Sequence, residues 1–269
     1  MALQVVQLNP YGEDPTEEED EVPADDEYIE KMNKMLDVLD CEGNFIMAKR
    51  REQVQQKGFW HRALNVWVLD MSSGQVAVGQ RPQTKDIDPG KWTCVSGRIA
   101  SGELSLQAAV DALDGELGLP FEESNVHFLF SIKCQKPINA GPFQGVMDRV
   151  WLDVYAACLD EHVPVSSMKL DVRDKLAVKW VRIEELQQQF SVPNGEYVAP
   201  NNDEYSERLF KHLWRLVREH HKTHMLALEE TKGAGAVNHL LGNSAAVTGK
   251  GDWHTGYGGA KIAGDTPEP

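Results

Sequence analysis

Residues 97–119 read GRIASGELSLQAAVDALDGELGL, and their carboxylates are the first candidates for chemistry. Gly97 opens a loop and Glu103 stands six residues on. A helix pattern then runs from Ser105 to Leu117, carrying Asp111, Asp114 and Glu116. A loop carboxylate followed by helix carboxylates can hold a divalent cation against a diphosphate, because Mg²⁺ takes hard oxygen ligands and bridges phosphate oxygens. Positions 112, 115 and 116 share one helix face, and here they are Ala112, Gly115 and Glu116. Asp111 lies about 40° around the helix from position 115, whereas Asp114 points away. A glycine inside a helix costs about 1 kcal/mol relative to alanine, so helix propensity does not explain Gly115.

Strands and a helix must hold these groups. MLDVLD and FIMAK read as a hairpin turning at Glu42-Gly43-Asn44. HRALNVWVLD and QVAVGQR are two strands joined at MSSG, and KWTCV is a short strand. The helix that follows has Ser105 as its expected N-cap and Gly118 as its C-cap. NVHFLFSIKC, VWLDVYAACLD and LAVKWVRI are further strands, and EELQQQF is a short helix. The stretch from Asn201 to Ala227 reads as a long helix, with Asn201 and Glu204 as a cap pair. Phe210, Leu213, Trp214 and Val217 form its apolar stripe.

The chain has 269 residues, 41% of them hydrophobic, and a formal charge of −15. Such an acidic chain gains nothing from phosphate counterion release, which argues against bulk nucleic-acid binding. Residues 1–30 form an acidic, proline-containing arm expected to be disordered, residues 31–230 the folded domain, and residues 231–269 a mostly disordered Gly/Ala-rich tail. Cys41, Cys94, Cys134 and Cys158 form no C-x-x-C pair and suit a reducing compartment. No apolar run is long enough to span a bilayer, and no secretory or transit signal stands at the N-terminus. The expectation is a cytoplasmic protein without membrane partners.

The 97–119 segment resembles the Nudix box, G-x5-E-x7-R-E-U-x-E-E-x-G-U with U a bulky aliphatic. Gly97, Glu103, Leu113, Glu116, Gly118 and Leu119 match in register. DPGKWTCVSG resembles the strand that leads into many such boxes, and LAVKWVRIEEL resembles the closing strand and helix, so the likeness covers about residues 33–190. LDVLDCEGN, FWHRALNVWVLD and RPQTKDIDPGKW resemble the isopentenyl-diphosphate-isomerase-like branch, many of whose members are classed as diphosphate hydrolases. The box is degenerate: Asp111, Ala112 and Gly115 stand where the family has arginine and two glutamates.

The resemblance implies an α/β fold, the Nudix α/β/α sandwich around a central mixed sheet, with a C-terminal helix added. It implies Mg²⁺ or Mn²⁺, weakly bound by Glu103, Glu116 and the Gly97 carbonyl, with Asp111 as a partial substitute. The implied activity is hydrolysis of a diphosphate linkage in a small molecule such as a nucleoside diphosphate compound, reduced by the thinned box. The rival reading is an inactive Nudix fold that binds a nucleotide, RNA or protein. Arg81, Lys85 and Arg98 are candidates to meet substrate phosphates, and Asp148, Asp153 and Asp174 are candidate general bases. True isomerases of the branch place cysteine before the box glycine and histidine after it, but here Ser96 and Arg98 occupy those positions. Cys94 is displaced by roughly 7 Å along the strand. His61 matches an isomerase metal-site histidine whose companions are missing. Isomerase activity is therefore not expected.

Residues 135–148 are the candidate specificity loop by position. Trp67, Trp92, Trp151 and Trp180 lie on predicted strands as core or cleft lining. His220 and His224 have a zinc-compatible spacing, yet no carboxylate or cysteine partner is evident nearby, so the reading is a solvated helix end.

Overall fold

The computed structural model describes residues 32–198 and 203–232. The expected acidic arm, the Asn201 cap and the tail beyond Lys232 lie outside those residues. Contacts divide the chain into two units, 1–221 and 222–269. The sheet and the cavities described below belong to the first.

Strands β1 (Met35–Leu39) and β2 (Phe45–Arg50) form the predicted antiparallel hairpin. Its turn is tied by Asp40, whose Oδ1 accepts the backbone N–H groups of Glu42 and Asn44 at 2.9 and 2.8 Å. A short helix, α1 (Arg51–Lys57), follows. Its single buried apolar residue, Val54, left no periodic signal to predict it from.

The sheet is built on β3 (Trp60–Asp70). This strand pairs with β1 at its start, with β4 (Gln75–Gln80) at its end, and antiparallel to β6 (Val95–Arg98) in between. Along its whole length it runs parallel to β8 (Met147–Leu159), which in turn pairs antiparallel with β7 (Val126–Pro137). β4 also pairs with β5 (Trp92–Thr93) and β9 (Ala177–Arg182). A strand covered on both faces needs apolar residues on both. Ala63, Trp67 and Leu69 accordingly enter one core, and Leu64, Val66 and Val68 the other.

Helix α2 (Ser105–Leu117) packs Ala109, Leu113 and Leu117 into the second core. Helix α3 (Ile183–Phe190) and residues 205–217 of helix α4 (Asp203–Lys232) cover the opposite face. The predicted stripe holds: Phe210, Leu213 and Val217 are buried there, with Trp214 packed beside them. The result is the expected α/β/α sandwich on a mixed sheet with a C-terminal helix. None of the helices among the described residues is long and apolar enough to cross a membrane.

Two local expectations fail. Ser105 is not the N-cap of α2. That position belongs to Leu104, and the Ser105 hydroxyl instead donates to Asp153 Oδ2 at 2.6 Å. KWTCV is not one continuous strand either. The chain leaves β4 after Thr93 and joins β3 at Val95, so Cys94 belongs to neither ladder. At the far end of α2, Gly118 does cap the helix, at φ 60°, with its N–H on Asp114 O at 2.8 Å.

Candidate functional site

β6 delivers Gly97 opposite Leu64 of β3, and the chain then loops into α2. In that loop Ala100 N–H donates to Glu103 Oε2 at 2.7 Å, and Glu103 N–H returns to Ala100 O at 3.1 Å. The Glu103 carboxylate is thus held by its own turn, with Lys34 Nζ 3.7 Å away. Helix α2 turns Glu116 inward, where it is 7% exposed. Asp111 stays on the exposed side, accepting a hydrogen bond from Gln107 at 2.8 Å.

A cavity of about 330 Å³ is lined by Gly97, Glu103, Asp111, Glu116, Asp171 and Asp174, among others. Ala112 and Gly115 border it too. A second cavity of about 240 Å³ adjoins it, sharing Arg51, Ser96, Gly97, Arg98, Glu116 and Asp174. Arg81, Lys85 and Lys175 line this second space. The predicted carboxylates and the predicted cations therefore lie on two adjoining cavities that share Glu116.

Each cation is anchored. Arg98 Nη2 donates to Asp148 Oδ2 at 2.7 Å, Arg81 Nε donates to Ile87 O at 2.8 Å, and Lys85 pairs with Asp174. Of the three aspartates considered as bases, Asp174 borders both cavities and Asp148 only the second. Asp153 lines neither, being engaged by Arg62, Ser105 and Ser131. The 138–146 connection docks against the 86–88 turn of the second cavity: Asp88 N–H donates to Asn139 Oδ1 at 2.9 Å, and Ala140 N–H to Asp86 O at 3.0 Å.

Glu116 has a partner that sequence reasoning missed. Lys175 Nζ lies 3.0 Å from its Oε2, while Ser96 N–H donates to its Oε1 at 3.3 Å. Burial pushes the Glu116 carboxyl above its ordinary range, and the Lys175 ammonium pulls it back. Lys175 is itself 2% exposed and donates to Cys94 O at 3.1 Å, the carbonyl left outside both ladders by the strand switch. Asp171 and Arg51 were missed as well. The clue was the charge density of DVRDK just before β9, inside an otherwise plain loop.

The oxygen donors fit a hard divalent cation. Among the described residues no three His, Cys, Asp or Glu side chains stand together as a ready metal cage. Mg²⁺ does not require one, since it is commonly held by one or two carboxylates and completed by water and substrate phosphate. Glu103, Glu116 and the Gly97 carbonyl remain the residues that would hold it. The thiol chemistry of an isomerase has no support here: burial pushes the Cys94 thiol up to about 12.

His61 is buried against Asp148, with Nε2 3.7 Å from Asp148 Oδ1. Its Nδ1 lies 2.9 Å from Phe59 O, an acceptor, so the neutral ring carries its proton on Nδ1. Burial first, then Arg98, lowers its pKa from 6.5 to about 4. Between those values the unfolded chain takes up a proton that the folded chain refuses. Stability should therefore fall as pH drops through that window, by about 3 kcal/mol. Urea unfolding at pH 7 and pH 4.5 should show this loss in the wild type and a smaller one in His61→Gln.

The Nudix domain family matches residues 59–201, more than half of the chain. A protein called Nudix hydrolase 3 from Arabidopsis thaliana is 32% identical over 165 residues, covering 60% of this chain but 21% of its own length. A prenyl-diphosphate phosphatase from Methanosarcina mazei is 25% identical over 61% of this chain and 88% of its own. A solved structure from Deinococcus radiodurans covers 68% of this chain and 99% of its own, at 20% identity and a TM-score of 0.47. With residues 59–201 matched, from β3 through β9 and including the box helix, the chain belongs to the Nudix family.

Proposed function

We propose that this chain hydrolyses a diphosphate linkage in a small organic molecule, slowly, with Mg²⁺ or Mn²⁺ weakly bound at the box. The carrying observation is the adjoining pair of cavities that share Arg98, Glu116 and Asp174, to which the first adds Glu103, Asp111 and Asp171 and the second Arg81, Lys85 and Lys175. A divalent ion beside Glu103 and Glu116 would neutralise phosphate charge and ready a water for attack. Arg98 and Arg81 hold phosphate oxygens through charge-assisted hydrogen bonds. Of the candidate bases, Asp174, which borders both cavities, would take the proton of the attacking water. The isopentenyl-diphosphate-isomerase-like branch and a degenerate box belong to this reading. The phosphatase relative supports including prenyl as well as nucleoside diphosphates among substrates. The four free thiols fit a cytoplasmic location.

The second reading is a binding module without turnover. The ion pair between Glu116 and Lys175 favours it, together with Ala112 and Gly115 on the same face.

Phosphate release from a panel of nucleoside and prenyl diphosphates, with Mg²⁺ present, separates the two. The hydrolase reading expects measurable release that falls at least tenfold in Glu116→Gln. No release by the wild type, with ligand binding unchanged in that variant, leaves the binding module. Under either reading, Arg98→Ala should weaken affinity for the bound diphosphate about tenfold or more, the cost of one charge-assisted bond, as measured by calorimetry.

A further inference from the structure

We infer that Lys175 is a built-in competitor for the divalent ion, an internal cation that holds Glu116 until substrate arrives. The inference rests on reading Glu116 as a metal-facing carboxylate and adds what the chain itself does to that residue. Lys175 Nζ stands 3.0 Å from Glu116 Oε2 and 3.1 Å from Cys94 O, at a side chain 2% exposed. The Cys94 carbonyl takes one of the ammonium's three protons, and Glu116 Oε2 faces the nitrogen as an ion pair. The fold also keeps a channel open for the lysine stem. A Cβ added at Gly79 of β4 would lie 2.3 Å from Lys175 Cδ and 2.8 Å from Cε. Gly79 is paired with Val178 inside the ladder, where glycine weakens a strand and commonly marks a close approach. Here the approach is that of Lys175.

A tethered ammonium has no translational freedom to lose on meeting Glu116, whereas a free ion does. Mg²⁺ must also shed water that it releases reluctantly. In the free protein, Lys175 therefore keeps Glu116. A substrate that brings its own phosphate oxygens adds ligands for the ion and shifts the balance towards displacing the lysine. Metal affinity without substrate is then low because the site is already neutralised, and not only because two box carboxylates are missing.

Titration of the metal-free full chain with Mn²⁺, followed by electron paramagnetic resonance without substrate, tests this. The wild type and Glu116→Gln should bind equally weakly. Lys175→Met should bind at least tenfold tighter, and Lys175→Met/Glu116→Gln should return to the wild-type value. Mn²⁺ should also raise the melting temperature of Lys175→Met more than that of the wild type. Should Lys175→Met fail to fold by circular dichroism, Gly79→Ala displaces the stem while leaving both charges in the chain, and it should tighten Mn²⁺ in the same direction. A tenfold loss of wild-type affinity in Glu116→Gln overturns the inference. So does unchanged affinity in folded Lys175→Met, or in Gly79→Ala if that is the variant that folds. None of these readouts needs turnover, so a failure here is distinct from an absence of phosphate release.

Discussion

Replacing Ala112 and Gly115 together by glutamate should raise diphosphate hydrolysis by about two orders of magnitude, the low end of what a positioned acid or base contributes. Both residues border the carboxylate-lined cavity alongside Glu116. A Cβ added at Gly115 meets nothing within 4 Å, so the larger side chain has room. The helix itself gains roughly half a kcal/mol or more from losing an interior glycine. Against this stands repulsion among Glu116 and two new carboxylates on one face, which Lys175 relieves in part and a divalent ion relieves further. Stability should therefore change little without metal and rise with it. Phosphate release against Mg²⁺ concentration measures the first effect, and melting temperature with and without Mg²⁺ the second. A folded double variant with wild-type turnover would mean that positions 112 and 115 are not where this site lost its activity.

The frame of this site was legible because it is periodic. Leu113 and Leu117 lie on the inner face of α2, and Gly118 follows at the one conformation that ends such a helix without a Cβ penalty. β3 was equally visible, since burial on both faces leaves an unbroken apolar run. What escaped depended on chain segments distant in sequence. Ser105 has the chemistry of a cap, but Asp153 of β8, forty-eight residues away, offers its hydroxyl a better partner. The break at Cys94 follows from which strand lies alongside, and nothing local marks it. Lys175 sits in a charged loop that reads as solvated. Its burial follows only when β9 docks on β4 and Gly79 leaves it space. Arg51 was hidden for a related reason, because a seven-residue helix with one buried apolar side chain has no pattern to detect.

Lys175→Met should destabilise the metal-free protein by about 3–5 kcal/mol at neutral pH, because it leaves a buried carboxylate without its counter-charge. The loss should shrink in acid. Burial already raises the Glu116 carboxyl, and without the lysine it rises further. A folded state that binds a proton more tightly than the unfolded one gains stability as pH falls and loses it as pH rises. Gly79→Ala should cost less alone, about 1–3 kcal/mol, as an overpacked site. The double variant carries the decisive information. Methionine keeps atoms at the three positions that the alanine methyl would meet, but without an ammonium tethered to Glu116 and the Cys94 carbonyl it can swing aside from that methyl. Its cost should then largely vanish, giving a coupling energy of about 1–2 kcal/mol, within the range for residues in direct contact. Urea unfolding of the four proteins measures that cycle. Additive losses would mean that Gly79 is a glycine for the sake of the strand. Coupled losses mean that β4 gave up a side chain to let a lysine reach the carboxylate of the box.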